Sequence, residues 1–393
     1  MNRARWPLVL AGCLVLAGCA TTPPTKLAFT GDPLADGENA IQNGPPRDRV
    51  LWEYRTALVA MRQGKYDIAR RDLESAVARL MNLYGPDKSA KEARSLFKAE
   101  ARKTFIGEPY ERVMAYYYRG ILYWMDGEPD NARACFRSGQ LMDSDTEEKT
   151  YASDYVLLDY LDGYVTDRLG GDGADAIKRA EASAKMWKPP QFSSNANVLV
   201  FVDYGAGPTK FATGEHAQEL RFRCNPSSVR SALVKVAGAT GKAVPYDDLC
   251  FQATTRGGRV MDHVLANKAV FKKTTDVAGN VALIGGGAVL ATQHSRDAQI
   301  AGMAMLGAGL ISKVISASTV PEADIRTWDN LPAYLSFVAL ELAPGQHTLQ
   351  VEFLNEAGQV LNALTKTVVL QIPEGGRDKV IYVSDKSITP QML

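Results

Sequence analysis

The chain has 393 residues, 45 Lys and Arg against 44 Asp and Glu, and a 46% apolar composition. A net charge of +1 leaves no basic surplus to neutralise a nucleic-acid backbone and no acidic surplus of the kind that keeps chains disordered. The length exceeds what one hydrophobic core usually serves, which predicts two domains, and five cysteines in so long a chain rule out a disulfide-stapled miniprotein.

Residues 1–5 carry two arginines and no acid, and 6–18 form an apolar run ending in Leu16-Ala17-Gly18-Cys19. Crossing the hydrocarbon core takes about 20 apolar residues, so this run reads as the hydrophobic region of an export signal, 1–18. Small residues followed at once by Cys make the stretch resemble a bacterial lipoprotein signal. The resemblance implies diacylation of the Cys19 thiol (a palmitate-type modification), cleavage before it and acylation of the new amino group. The membrane partner is then the lipid on Cys19. Leu10-Ala11-Gly12-Cys13 is an earlier match with too short an apolar lead-in. Ala20, where sorted lipoproteins retained at the inner membrane carry Asp, favours the outer membrane and its periplasmic face by the same resemblance. Thr, Pro, Gly, Asn and Asp dominate up to Pro46, and 19–46 is expected to be a flexible tether.

Helical periodicity runs over 47–190. Aligning Gly64 with Gly127 superposes Ala57 on Gly120, Ala69 on Ala132, Leu73 on Phe136 and Ala76 on Gly139. Small residues at these offsets allow antiparallel helices to approach closely, and the pattern resembles tetratricopeptide repeats, with 155–185 as a further unit. A plain helical bundle with Gly-terminated helices is the alternative. Among Tyr116, Tyr117, Tyr118, Tyr123 and Trp124, adjacent side chains point to different sides of a helix. Most are therefore core, and Tyr117, Tyr118 and Trp124 supply the candidates for a partner-binding groove.

From 191 to 393 the pattern is β-rich. Strands are predicted at 197–204, 219–224, 232–236 and 248–254, then at 333–342, 347–354, 360–372 and 379–384, with Gly and Pro turns between them, as in a sandwich. An Ala/Gly-rich helical insertion, about 259–318, separates the two sets. Its apolar runs are too short for a membrane hairpin, which favours packing against the sandwich over contact with a partner or bilayer. The expected class is α+β: a tetratricopeptide-like helical solenoid followed by a sandwich-like domain.

The segment 324–332 reads Asp-Ile-Arg-Thr-Trp-Asp-Asn-Leu-Pro, with Pro344-Gly345 beyond it. Together with the Gly-Pro turn after the first strand and the helical repeats, it resembles a family of uncharacterised proteobacterial envelope lipoproteins. That resemblance implies a cell-envelope location and, for some members, a link with lipoproteins that activate peptidoglycan synthases. Read physically, Asp324 and Arg326 alternate on an extended segment and can pair with loop backbone. Trp328 anchors the return into the sheet, and Leu331 and Pro332 close a structural motif.

Little points to catalysis. The four histidines lie far apart without metal-ligand spacing, and no nucleophile elbow or phosphate loop occurs. No cofactor or metal site is expected. Cys135 lies on a repeat helix and reads as a buried apolar residue. Cys224 and Cys250, in neighbouring strand candidates and an oxidising compartment, are expected to form a disulfide, the alternative being two buried free thiols. The resulting expectation is a non-enzymatic lipoprotein adaptor with an unidentified envelope protein as partner. An enzyme or ligand-binding protein with a cleft between the halves, and an oligomer-forming structural lipoprotein, are the other readings. Cys19→Ser is expected to abolish palmitate incorporation and release the chain from the membrane fraction, whereas Cys13→Ser should leave both unchanged; metabolic labelling with cell fractionation reads the outcome.

Overall fold

The computed structural model describes residues 27–83, 104–144, 151–215, 217–255, 323–375 and 378–393. The signal 1–18, Cys19 and the insertion 259–318 lie outside them. The fold is mixed α and β, consistent with the α+β expectation.

The first helix is α1 (Pro33–Asn43), inside the stretch expected to be a tether. Asp32 caps it by accepting the Leu34 and Ala35 amide protons, Pro33 occupies its first turn, and Leu34 and Ile41 are buried. Composition hid a short amphipathic helix with a sound cap, so the tether reading fails over 33–43.

Among the described residues six further helices form three pairs: α2 (Arg49–Arg62) with α3 (Tyr66–Leu83), α4 (Pro109–Met125) with α5 (Pro129–Asp143), and α6 (Val156–Arg168) with α7 (Ala174–Ser183). Gly64 and Gly127 adopt φ of +70° and +79° in the turns of the first two pairs, where a side chain would be strained. The aligned positions also behave alike. Ala57, Ala69, Leu73, Ala76, Ala132 and Phe136 are all buried, and a Cβ on Gly120 would sit 2.6 Å from the Phe136 ring.

The strands build two principal sheets, one of order β10-β1-β7-β6 and one of order β11-β9-β8-β4-β5, with a separate β2-β3 ribbon. These strands are β1 (Val198–Tyr204), β2 (Thr209–Thr213), β3 (Glu219–Arg223), β4 (Ser231–Val236), β5 (Ala239–Ala243), β6 (Asp247–Asp248), β7 (Tyr334–Leu340), β8 (Gly345–Leu354), β9 (Lys366–Ile372), β10 (Lys379–Ser384) and β11 (Gln391–Met392). Strand β1 pairs parallel with β10 and antiparallel with β7. All seven of its residues are buried. Val198, Val200, Val202 and Tyr204 face the second sheet, while Leu199 and Phe201 face the helices. Alternate residues of β7 and β10 divide in the same way.

The result is three layers, with helices, the β1 sheet and the β8 sheet enclosing two cores. The core between helices and sheet draws residues from both sides of position 190, so the two expected domains share a core. Three local expectations also change. Over 248–254 the chain forms the end of β6 and a short helix, α8 (Leu249–Thr254), capped by Asp248. The 360–372 strand shrinks to β9, because Asn362–Leu364 is a 3-10 turn. Strands β2 and β5 were not anticipated.

One buried ion pair joins the layers. Lys210 on β2 and Glu111 on α4 are almost wholly buried and bonded to each other. The Glu111 carboxylate also accepts the Glu108 amide at 2.7 Å, as part of a capping box, and the Trp328 amide at 2.7 Å. Lys210 Nζ additionally donates to the Arg326 carbonyl at 2.8 Å. Removing one member leaves a buried charge without its counterion, so Lys210→Met should destabilise the protein by about 3–5 kcal/mol. Lys210→Met combined with Glu111→Gln should recover part of that loss, as measured by urea unfolding; equal losses in the single and double variants would refute the pairing argument.

Candidate functional site

Among the described residues a cleft lies where the last helical pair meets the β1 sheet and α8. It measures about 200 Å³ and is lined by Asp154, Lys185, Tyr246, Asp247, Phe251 and Gln252, among others. Asp247 reaches it from β6, the short strand paired with β7. Its carboxylate accepts the Val156 and Leu157 amide protons at 2.8 and 2.9 Å, capping α6 from another element because the helix's own cap position, Tyr155, supplies no side-chain bond. The helix N-terminus favours that negative charge. Burial works against it and, with Asp154 and Asp143 nearby, raises the Asp247 carboxyl to about 7 despite the two amide bonds.

Across the cleft, Lys185 donates to Asp154 at 2.8 Å and lies 3.9 Å from the Phe251 ring centre and 4.9 Å from that of Tyr151. Gln252 donates to the other Asp154 oxygen at 3.0 Å. With Asp248, which caps α8, the cleft places three carboxylates, an ammonium and aromatic walls together, and the carboxylates are bonded to the fold. Cys224, just past β3, and Cys250, on α8, lie at disulfide distance with Cα atoms 5.6 Å apart. The bond ties the β2-β3 ribbon to the helix that carries Phe251, and closing such a loop contributes on the order of 3 kcal/mol in the chain-entropy picture. Cys135 is free and buried, and burial pushes its thiol up to about 12.

A second polar cluster is closed to solvent. Asp203, at the end of β1, accepts the hydroxyl protons of Tyr118 and Tyr382, each at 2.7 Å, with the Arg62 guanidinium beside them. Burial and the Asp203 charge hold both phenols well above their ordinary range, so they remain protonated donors. This arrangement fastens α2, α4, β1 and β10 together.

The aromatic groove expected from Tyr117, Tyr118 and Trp124 is not open. All three are buried: Tyr117 packs edge-on against Phe201, Tyr118 against Tyr382, and Trp124 against Phe136 and Phe201. Helix α4 lies between other helices and the sheet, so side chains pointing in different directions all find protein. The 324–332 motif forms the seam itself. Arg326 binds the Asp324 and Asp48 carboxylates at 2.6 Å each and also reaches the Arg47 carbonyl at 3.5 Å, while Asp324 accepts the Arg326 amide at 3.0 Å, so backbone pairing of the expected kind is joined by two ion pairs. The backbone carbonyls there are taken by Lys210 and by Arg55, which reaches the Thr327 oxygen at 2.7 Å. Trp328 stacks on Tyr54 of α2 at 4.4 Å, so it anchors the segment to the helices. Leu331 belongs to the core between helices and sheet, and Gly207 fits against the Leu331 and Pro332 carbonyls.

Among the described residues no group of His, Cys, Asp and Glu is arranged to hold a metal ion, and no helix is long and apolar enough to cross a membrane. The capping box at Glu108 and Glu111 was legible as Glu-Pro-x-Glu; nothing in the sequence linked Asp247 or Lys185 to their partners. No family model, curated protein or solved structure matches the chain.

The Asp247 carboxyl, released near 3.8 when the chain is unfolded, keeps its proton to about 7 in the fold. Between those values the folded state binds more protons, so raising the pH from 4 to 7 weakens the fold through this group by a few kcal/mol. Asp247→Asn should flatten that part of the profile. Urea midpoints at several pH values from 4.5 to 8 check it, and an unchanged slope in the variant would count against the Asp247 assignment.

Proposed function

We propose that the chain is a non-enzymatic lipoprotein, anchored to the outer membrane through acylated Cys19 and facing the periplasm. In this reading it is a protein-interaction adaptor in cell-envelope assembly or maintenance. Its helical half is a tetratricopeptide-like stack, and its β half a sandwich that braces the stack. The 324–332 motif, at the seam of the two halves, is the part of the likeness to envelope lipoproteins with a structural role; the link of that family with peptidoglycan synthesis suggests where a partner would be sought.

The observation that carries the adaptor reading is the sidedness of the helical pairs. The first helix of each pair, α2, α4 and α6, packs on the β1 sheet, and the second, α3, α5 and α7, lies away from it. The inner face is filled by the protein's own sheet. The outer helices remain, and they expose apolar side chains, Met81 at 66% on α3 and Leu141 at 65% on α5. A cleft ligand is the second reading, favoured by the meeting of Asp154, Lys185 and Asp247. It ranks lower because those groups already hold the fold together.

A photo-crosslinking residue at Met81 or Leu141 should capture one discrete envelope protein in intact cells, whereas the same residue at Met392 on β11 should not. Absence of any crosslink from the outer helices, together with catalytic turnover or stoichiometric small-ligand binding by the purified chain, would replace the adaptor with the cleft reading.

A further inference from the structure

We propose that the corner built from Phe29, Trp52 and Ile325 rests on the surface of a phospholipid bilayer, fixing how the body stands on its membrane. The inference rests on acylation of Cys19 and deepens the reading above.

The first argument is reach. The chain is pinned to the body from Ala28 onward: Asn39 donates to the Ala28 carbonyl at 3.1 Å, and Asp36 accepts the Thr30 and Gly31 amides at 2.6 and 2.9 Å. Only eight residue steps separate Cys19 from Leu27, and fully extended they span at most about 29 Å. A compact chain of this size is roughly 50 Å across. A leash shorter than the body keeps its point of attachment on the membrane side.

The second argument is what lies at that point. Phe29 is 58% exposed, and its ring centre is 6.0 Å from that of half-buried Trp52 on α2. The Arg55 guanidinium covers Trp52 at 5.1 Å and holds the 324–332 segment through the Thr327 carbonyl; the Thr327 hydroxyl in turn donates to the carbonyl of Ile325, two residues earlier and 52% exposed, at 2.9 Å. Amphipathic aromatic rings and arginine stems suit the boundary between headgroups and acyl chains. The arginines around the corner each meet a carboxylate: Arg55 with Asp329, Arg326 with Asp324 and Asp48, and Arg49 with Glu53. Contact through apolar and aromatic surface, with no basic surplus to draw anionic lipid, points to a largely zwitterionic lipid surface and to weak salt dependence.

The acylated full chain, carrying Phe29→Cys labelled with an environment-sensitive dye, is reconstituted into vesicles of phosphatidylethanolamine with a minor share of phosphatidylglycerol. A chain labelled at Val360→Cys, on the β8–β9 connection, is the reference. The label at 29 should shift to the blue and be quenched several-fold more by nitroxide lipids than the label at 360, at low and high salt alike. Adding Ile325→Glu should reduce that quenching. Palmitate labelling of the same samples separates the two claims: an acylated chain whose labels at 29 and 360 behave identically overturns the bilayer contact alone, whereas a chain without acyl groups overturns the lipoprotein reading and this inference with it. Shielding at 29 seen in isolated envelopes but not in lipid vesicles would also overturn it, assigning the corner to a protein.

Discussion

The buried pairing of Lys210 with Glu111 constrains everything around it. Taking two such charges out of water costs several kcal/mol per ion, which is offset only where geometry is close and the remaining oxygens and protons are bonded. Glu111 meets that demand by accepting from its own helix start, from Lys210 and from the Trp328 amide; Lys210 meets it with a backbone carbonyl. These bonds come from three different stretches of chain. Helix α4, the β2-β3 ribbon and the 324–332 segment therefore have to arrive together, and apolar packing of Trp328 on Tyr54 gives that meeting its area.

From this joint the layering follows. The β1 sheet is covered on both faces, which is why β1 reads as an apolar run from Val198 to Tyr204, interrupted only by the bonded Asp203, and not as an alternating one. One face takes the second sheet and the other takes the leading helix of each helical pair. The trailing helices differ in how much they bury: α5 sinks Ala132, Cys135 and Phe136, whereas α7 sinks only Ala176 and Ala180.

What could be read from the sequence were features with a local cause. Gly64 and Gly127 end helices because the turn itself needs positive φ, the buried small residues flank them, and β1, β4, β7, β8 and β10 carry their own apolar patterns. Cys224 and Cys250 lie at disulfide distance, as their neighbouring places in the sequence pattern led one to expect, although Cys250 sits on a helix and not on the strand expected there. The features not legible were relational. Periodicity shows that α4 has apolar faces but not that both will be covered, so Tyr117, Tyr118 and Trp124 looked available when they are core. Asp247 caps a helix some 90 residues away in sequence, and no local pattern announces such a partner. Helix α1 was hidden by a polar composition whose one informative signal was Asp32 before Pro33.

Helix α2 is gripped along its length: α1 lies against it, Arg55 and Tyr54 hold the 324–332 segment, and near its end the Arg62 carbonyl accepts the Ile388 amide from the C-terminal tail. The N-terminal and C-terminal ends of the described chain thus converge on one helix. Mechanically this makes α2 the point where a pull on the chain at Leu27 would be received once α1 has passed it on, and the load would spread sideways into α3 and the β1 sheet together.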